Sequence, residues 1–331
     1  MTSNSDSRSR LKVYAAIASV LFVLAALLLV INFLENKHGY FSDGDEEQSE
    51  VFEYNGKQYV FDQKLETVLV LGLDSIEKDI DDDAYTNSNQ ADFLVLLVLD
   101  NESKRYSAIH INRDTMADVN VLGLAGEKTG TKNQQIALAH TYGNGGMKSC
   151  RNTADAVSKL LLGANIDHFA SITMDAVAII NDSVGGVEVT VSDDFTGIDD
   201  TLVKGETVTL MGEHALNYVR TRYGMDDSTN LKRMERQREY MMSLLKKAKD
   251  VATEESNAFA DAIIKLDGKV VSDCSAVYLQ EIMQRVTDYE FLGIYVPEGT
   301  NEVGSKYIEF YVDRDSLTEI ICNLLCKPKE D

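Results

Sequence analysis

The chain has 331 residues, 44% hydrophobic and 26% charged, and 32 Lys and Arg set against 54 Asp and Glu leave a net charge of −22. That length supports one good-sized core or a large domain with an accessory one, and only two prolines exclude a long proline-rich linker. So acidic a surface repels a phosphate backbone, which excludes general nucleic-acid binding.

Val13 to Leu34 form a twenty-two-residue run in which only Ser19 and Asn32 are markedly polar. As a helix it spans roughly 33 Å, enough to cross a bilayer. Arg8, Arg10 and Lys12 precede it, and an acidic stretch from Asp43 to Glu53 follows. The positive-inside rule then leaves residues 1–12 in the cytoplasm and everything after the anchor outside the cell. A cleaved signal peptide is the competing reading. The run exceeds a usual signal core, however, and no small-x-small cleavage site follows it.

Residues 35–65 read as a spacer holding one extended piece, VFEYNGKQYVF, around an Asn-Gly turn. Apolar runs at 67–73, 93–99 and 106–111 have the length and continuity of strands buried on both faces. Helical patterns are expected at 133–142 and 152–162, a strand at 168–173, a helix at 175–183 and a strand at 187–191. Helices at 212–221 and 230–249 follow. The alternation predicts an α/β domain, a mixed central sheet flanked by helices on both sides, over 66–250. Residues 251–331 read as a C-terminal α/β extension, packed on the same domain or forming a small unit of its own. Its pattern is helix 256–265, helix 275–287, strand 290–296, strand 306–311 and helix 314–326.

Of four cysteines, Cys322 and Cys326 stand four apart in a helical pattern and would share one face, a poor geometry for a mutual disulfide. Cys150 and Cys274 lie at element edges and are expected to pair, with free thiols as the alternative. A metal site at these cysteines lacks support, since no CxxC or nearby histidine accompanies them.

The chemistry-bearing residues concentrate at strand ends and at one helix start. The first strand ends in Gly72-Leu73-Asp74, and Asp92 opens the second. Carboxylates at such ends sit where ligands bind in open α/β sheets, and a pair would suit Mg²⁺. Loop capping is the alternative for each. Between them Asp79, Asp81 and Asp83 mimic an EF-hand start, but Ala84 replaces the obligatory glycine and Gln90 the bidentate glutamate, so a solvated loop is expected. Arg113-Asp114 after the third strand could be a structural pair or a guanidinium aimed into a cleft. Asn230 is a plausible N-cap for a helix whose first turns carry Arg233, Arg236 and Gln237. Cations there oppose the helix dipole unless an anion is bound. A solvated face is the alternative. No GxSxG, HExxH or Walker loop occurs.

In this order, the GLD strand end, the Asp-led strand, RDT, QIALAHTYG, GGVEV, GEHALNYVRTR and the RMERQ helix start resemble the LytR–CpsA–Psr (LCP) family, over about Thr67 to Lys249. The resemblance implies a membrane-anchored extracellular phosphotransferase dependent on Mg²⁺ (or Mn²⁺). It would move a glycopolymer from an undecaprenyl-pyrophosphate carrier to peptidoglycan or another wall acceptor, and a pyrophosphatase side activity would share the site. It implies metal ligation by Asp74 and Asp92, and pyrophosphate binding by Arg113, Arg220, Arg222, Arg233 and Arg236 with Gln237 and Gln90. Arg113, Asp114, Arg233 and Arg236 would form the catalytic set, Asp114 orienting the acceptor hydroxyl. A polyprenyl tunnel would be lined by the helices near 133–142, 152–162 and 230–249. The chain departs from the family at Gln90-Ala91-Asp92, where Arg-Ser-Asp is common, and at Asn230, where an aspartate is common. A non-catalytic polyprenyl-pyrophosphate or glycan-binding scaffold is the rival reading.

Overall fold

The computed structural model describes residues 51–73, 90–123, 125–221, 230–254, 265–304 and 307–329. The expected anchor at 13–34 lies outside them; among the described residues no helix is long and apolar enough to cross a membrane. The description opens with the hairpin β1 (Phe52–Tyr54) and β2 (Lys57–Phe61). Asn55 and Gly56 both adopt positive φ, at 51° and 70°. That is the two-residue turn which an Asn-Gly pair favours.

Three apolar strands follow: β3 (Leu65–Leu73), β4 (Ala91–Asp100) and β5 (Arg105–Ile111). Next come the hairpin β6 (Met116–Leu122) and β7 (Lys128–Gln135), a 3-10 helix Ile136–Thr141, and α1 (Met147–Leu160). The helix expected at 133–142 is therefore the end of a strand and one short 3-10 segment. The chain continues through β8 (His168–Thr173), α2 (Met174–Ser183), β9 (Val187–Thr190) and β10 (Thr207–Leu210). Helices α3 (Glu213–Arg220) and α4 (Leu231–Glu254) follow. The last elements are β11 (Val270–Ser272), α5 (Ala276–Asp288), β12 (Glu290–Tyr295), β13 (Gly299–Val303), β14 (Ile308–Val312), α6 (Arg314–Leu324) and β15 (Cys326–Pro328).

The central sheet has the order β11-β8-β3-β4-β5-β12. Strands β3 and β8 pair parallel, as do β5 and β12, whereas β4 runs antiparallel to both β3 and β5. The region after 251 thus supplies both edge strands of the sheet. The period-2 rule sorts the side chains. Leu69, Leu71, Leu73, Leu94, Leu96, Ile109 and Ile111 pack on one face against α1 and α6 residues such as Val157, Leu317 and Ile321. On the other face Val68, Leu99 and Tyr106 meet Ile282 of α5. Helices therefore cover both faces, as the alternating pattern predicts. A separate core joins β9, β10, α3 and α4 through Val187, Val189, Leu210, Tyr218 and Tyr240. The segments expected to line one lipid tunnel consequently divide between two cores, with α1 and the 3-10 helix in the first and α4 in the second.

All four cysteines are free thiols, which corrects the expected Cys150–Cys274 disulfide. Cys150 is fully buried on α1, with Sγ 3.5 Å from His140 Nε2 and 3.4 Å from Ser171 Oγ. Cys274 lies in the turn between β11 and α5, its Sγ beside Asp273. Helix α6 stops at Leu324, so Cys326 sits in β15 opposite Phe61 rather than on the helix face with Cys322.

Candidate active site at the strand ends

Because β4 runs against β3 and β5, its first residues lie beside their last ones: Leu73 opposes Ala91, and Leu94 opposes Ile111. This register gathers Gln90, Asp92 and the segment 112–115 at one end of the sheet. Strands β3, β5, β8 and β12 all point their carboxyl ends there, the end at which open α/β sheets bind ligands.

Arg113 is the centre of the group. It is buried, and its Nη1 donates to Asp92 Oδ1 while Nη2 donates to Gln90 Oε1. Its Nε stands 3.5 Å from Asp114 Oδ1. Two carboxylates and an amide oxygen thus surround one guanidinium, leaving a local excess of hard oxygen donors and negative charge. Asp114 is held by Gln135, whose Nε2 donates to Asp114 Oδ1 at 2.9 Å and to the Ile308 carbonyl at 2.8 Å. The Phe310 N–H donates to the Asp114 carbonyl at 2.9 Å, so β14 braces the loop from outside.

Asn112, which the sequence did not single out, ties this loop to α4. Its Oδ1 accepts from the Asp114 N–H at 3.0 Å and from Asn230 Nδ2 at 3.1 Å. Asn230 occupies the position before α4, and its carbonyl takes the Met234 N–H at 3.0 Å. Its side chain does not cap the helix: among the described residues Oδ1 is buried with no hydrogen-bond partner, as is Asn112 Nδ2. Buried polar atoms are nearly always satisfied, so these two are open to a water or another polar partner. The pairing uses the amide of Asn230 as donor to Asn112 while its oxygen stays available, which a carboxylate could not do.

Arg233 is buried in the first turns of α4. Burial, and after it the charges of Arg238 and Arg233, hold His110 of β5 neutral with its pKa lowered to about 3. Helix α4 therefore brings positive charge onto the β5 side of the sheet, and Arg238 joins the predicted Arg233 there. Arg220 is the exposed last residue of α3. Asp74 and Arg222 lie outside the described residues.

Two residues expected at the pyrophosphate, Arg236 and Gln237, bond to the end of α3. Arg236 is 1% exposed, with Nε on the Tyr218 carbonyl at 2.8 Å, Nη2 on the Thr221 carbonyl and Nη1 on Asp193. Its guanidinium also lies 5.4 Å from the Phe195 ring centroid. Gln237 donates to the Val219 carbonyl at 3.1 Å. Both side chains lock α4 onto the end of α3: helical spacing puts 233, 236 and 237 on one arc of α4, and the docking of α4 on α3 turns the latter two onto the carbonyls of Tyr218, Thr221 and Val219. A separate cavity of ≈ 460 Å³ between the β9–β10 hairpin and α4 is lined by Glu188 and Glu239 with Thr190, Ser192, Thr207 and Ser243. Its carboxylates repel an anion.

A mixed α/β sheet carries a buried arginine–carboxylate cluster at its strand ends. The profile of the LytR_cpsA_psr family matches residues 32–320, and the chain belongs to that family. It is 28% identical over 240 residues to the polyisoprenyl-teichoic acid–peptidoglycan teichoic acid transferase TagU of Enterococcus faecalis, covering 71% of each chain. The protein of the same name from Bacillus licheniformis is 26% identical over 266 residues, covering 78% of this chain and 76% of that one. Among solved structures, TagT bound to LI-WTA matches at a TM-score of 0.60 and 21% identity, over 87% of this chain and 98% of that one, a likeness of fold.

Proposed function

We propose that this protein is a cell-wall glycopolymer phosphotransferase. It takes the polymer from a polyprenyl-pyrophosphate carrier and joins it to peptidoglycan or another wall acceptor. The observation that carries this is Arg113 ringed by Gln90, Asp92 and Asp114, beside the unsatisfied amide atoms of Asn112 and Asn230. The two TagU proteins, named as transferases, support the reaction class. The apolar run at 13–34 with its basic flank supports anchoring by one helix and an extracellular working domain.

Phosphoryl transfer needs position and charge neutralisation more than a covalent nucleophile. Arg113 and Arg233 neutralise the pyrophosphate, and Asn112 Nδ2 donates to one of its oxygens, while Asn230 Oδ1 accepts from a water or the acceptor hydroxyl. Asp114, fixed by Gln135, accepts the proton of the acceptor hydroxyl as that oxygen bonds to the phosphorus bearing the glycan. The bond from that phosphorus to the bridging oxygen breaks, and polyprenyl phosphate leaves. The excess of carboxylate over guanidinium around Arg113 fits a hard divalent cation, with Asp92 as the described ligand and Asp74 as the second. Mg²⁺ or Mn²⁺ bound there would supply further charge neutralisation of the diphosphate. Water in place of the sugar hydroxyl would give pyrophosphatase side activity.

The test is transfer of a polyprenyl-pyrophosphate-linked oligosaccharide to peptidoglycan fragments by the purified full-length chain. Arg113→Ala and Arg233→Ala should each lower turnover by about 10²–10³ with the fold retained, and chelation of divalent cations should abolish it. Wild-type rates in folded Arg113→Ala protein would overturn the site. Bound lipid without turnover in the wild type would identify a carrier-binding protein instead.

A further inference from the structure

At the opposite end of the sheet, His168, Asp273 and Cys274 converge. His168 opens β8 opposite Val68, five residues before the Leu73–Thr173 pair that borders the arginine cluster, or about 17 Å along the strand. Asp273 and Cys274 follow β11, whose antiparallel pairing with β8 carries them back to that same end. One nitrogen, one oxygen and one sulfur donor from these residues all lie within 4.8 Å of one another. Asp273 Oδ1 is 3.8 Å from His168 Nδ1 and 3.8 Å from Cys274 Sγ. Donors held 2.0–2.3 Å from a tetrahedral ion stand about 3.3–3.8 Å apart, so these two edges already match such a site.

The surroundings hold the donors in place. The Phe169 N–H donates to Asp273 Oδ1 at 2.9 Å, and Arg151 Nη2 stands 3.6 Å from Oδ2. Ser272 Oγ accepts from the Cys274 N–H at 3.0 Å and donates to the Phe169 carbonyl at 2.7 Å, which staples the turn to β8. The Tyr278 ring meets His168 edge-on at 5.1 Å and its hydroxyl donates to Glu66, which also pairs with Arg285. Outer contacts of this kind orient metal ligands.

We propose that His168 Nδ1, Asp273 and Cys274 Sγ form a zinc site, with water in the fourth position. Thiolate and imidazole select a borderline-soft ion, whereas Mg²⁺ takes oxygen donors, so this site is chemically distinct from the one at Asp92. Binding displaces the thiol proton to solvent and joins the β11–α5 turn to β8, bracing the sheet's edge. Nothing in the transfer reaction depends on it.

Titration of the chelator-treated full-length protein with Co²⁺ in saturating Mg²⁺ should give one equivalent of binding with tetrahedral d–d bands and a thiolate-to-cobalt charge-transfer band. Zn²⁺ should abolish both bands, raise Tm further in protein already saturated with Mg²⁺, and shield Cys274 from alkylation. Cys274→Ser and His168→Ala should weaken binding at least about a hundredfold, since even outer-shell losses cost 10–100-fold, while Cys326→Ser should change nothing. Binding unaffected by Cys274→Ser, a cobalt spectrum without thiolate charge transfer, or alkylation of wild-type Cys274 undiminished by Zn²⁺ would each overturn the site. The alkylation arm needs no variant to fold.

Discussion

Arg113 and Arg236 are both buried, both face a carboxylate and both belong to motifs of one family, yet their partners differ in kind. Arg236 gives two of its donors to the carbonyls of Tyr218 and Thr221, which the backbone fixes. The described partners of Arg113 are side chains from neighbouring strand ends, Gln90, Asp92 and Asp114. A side chain can exchange its hydrogen bond for a ligand oxygen, whereas a carbonyl in a helix end cannot move to do so. Burial therefore does not separate an arginine fixed by the fold from one that the proposed function puts to work. The mobility of its acceptors does.

The largest effect expected is on stability at Arg236. Arg236→Met leaves Asp193 and two carbonyls without their donor, and breaking a buried pair costs about 3–5 kcal/mol, so chemical denaturation should show a matching fall. Arg113→Ala should do the reverse, losing about 2.7–4 kcal/mol of transition-state stabilisation with a smaller change in denaturation midpoint. Equal stability losses in both variants would erase the distinction. Asn230→Asp sharpens it further. The carboxylate cannot donate to Asn112, so the variant should lose about 1–3 kcal/mol of stability, read as a lowered Tm, while Asn230→Gln tests reach alone.

The smallest effect is a pH dependence on the β5 side of the cluster. Burial first, then Arg238 and Arg233, lower the pKa of His110 to about 3. The unfolded chain binds this proton near the ordinary value of about 6.5 and the folded chain does not, so below that pH the unfolded state holds more protons. Stability should then fall by about 1 kcal/mol per pH unit between roughly 6 and 4. Denaturation curves of His110→Gln should lack that component; an identical pH profile in the variant would remove His110 from the account.

Much of the frame was legible from residues alone. The continuous apolar runs of β3, β4 and β5 have the length of strands buried on both faces, and Asn55-Gly56 signals a tight turn. Strand ends carrying Asp92 and Arg113-Asp114 marked the site because burial drives polar residues to the ends of such strands. The hairpin β6–β7 was not legible. Its second strand, KTGTKNQQ, has no apolar period and is held by pairing with β6 rather than by its own pattern.

What the tertiary structure decided was which polar side chains are spent. Helical spacing placed Arg233, Arg236 and Gln237 within two turns, but only the docking of α4 on α3 turned the latter two inward onto carbonyls. Asn112 carries no signal of its own in the sequence, and Asn230, 118 positions away, gives it its place. His168 and Cys274 had no metal signature because their proximity comes from β11 pairing with β8. Sequence periodicity reports what a segment buries. Which donor meets which acceptor depends on contacts between residues far apart in the chain, and those exist only once the sheet is assembled.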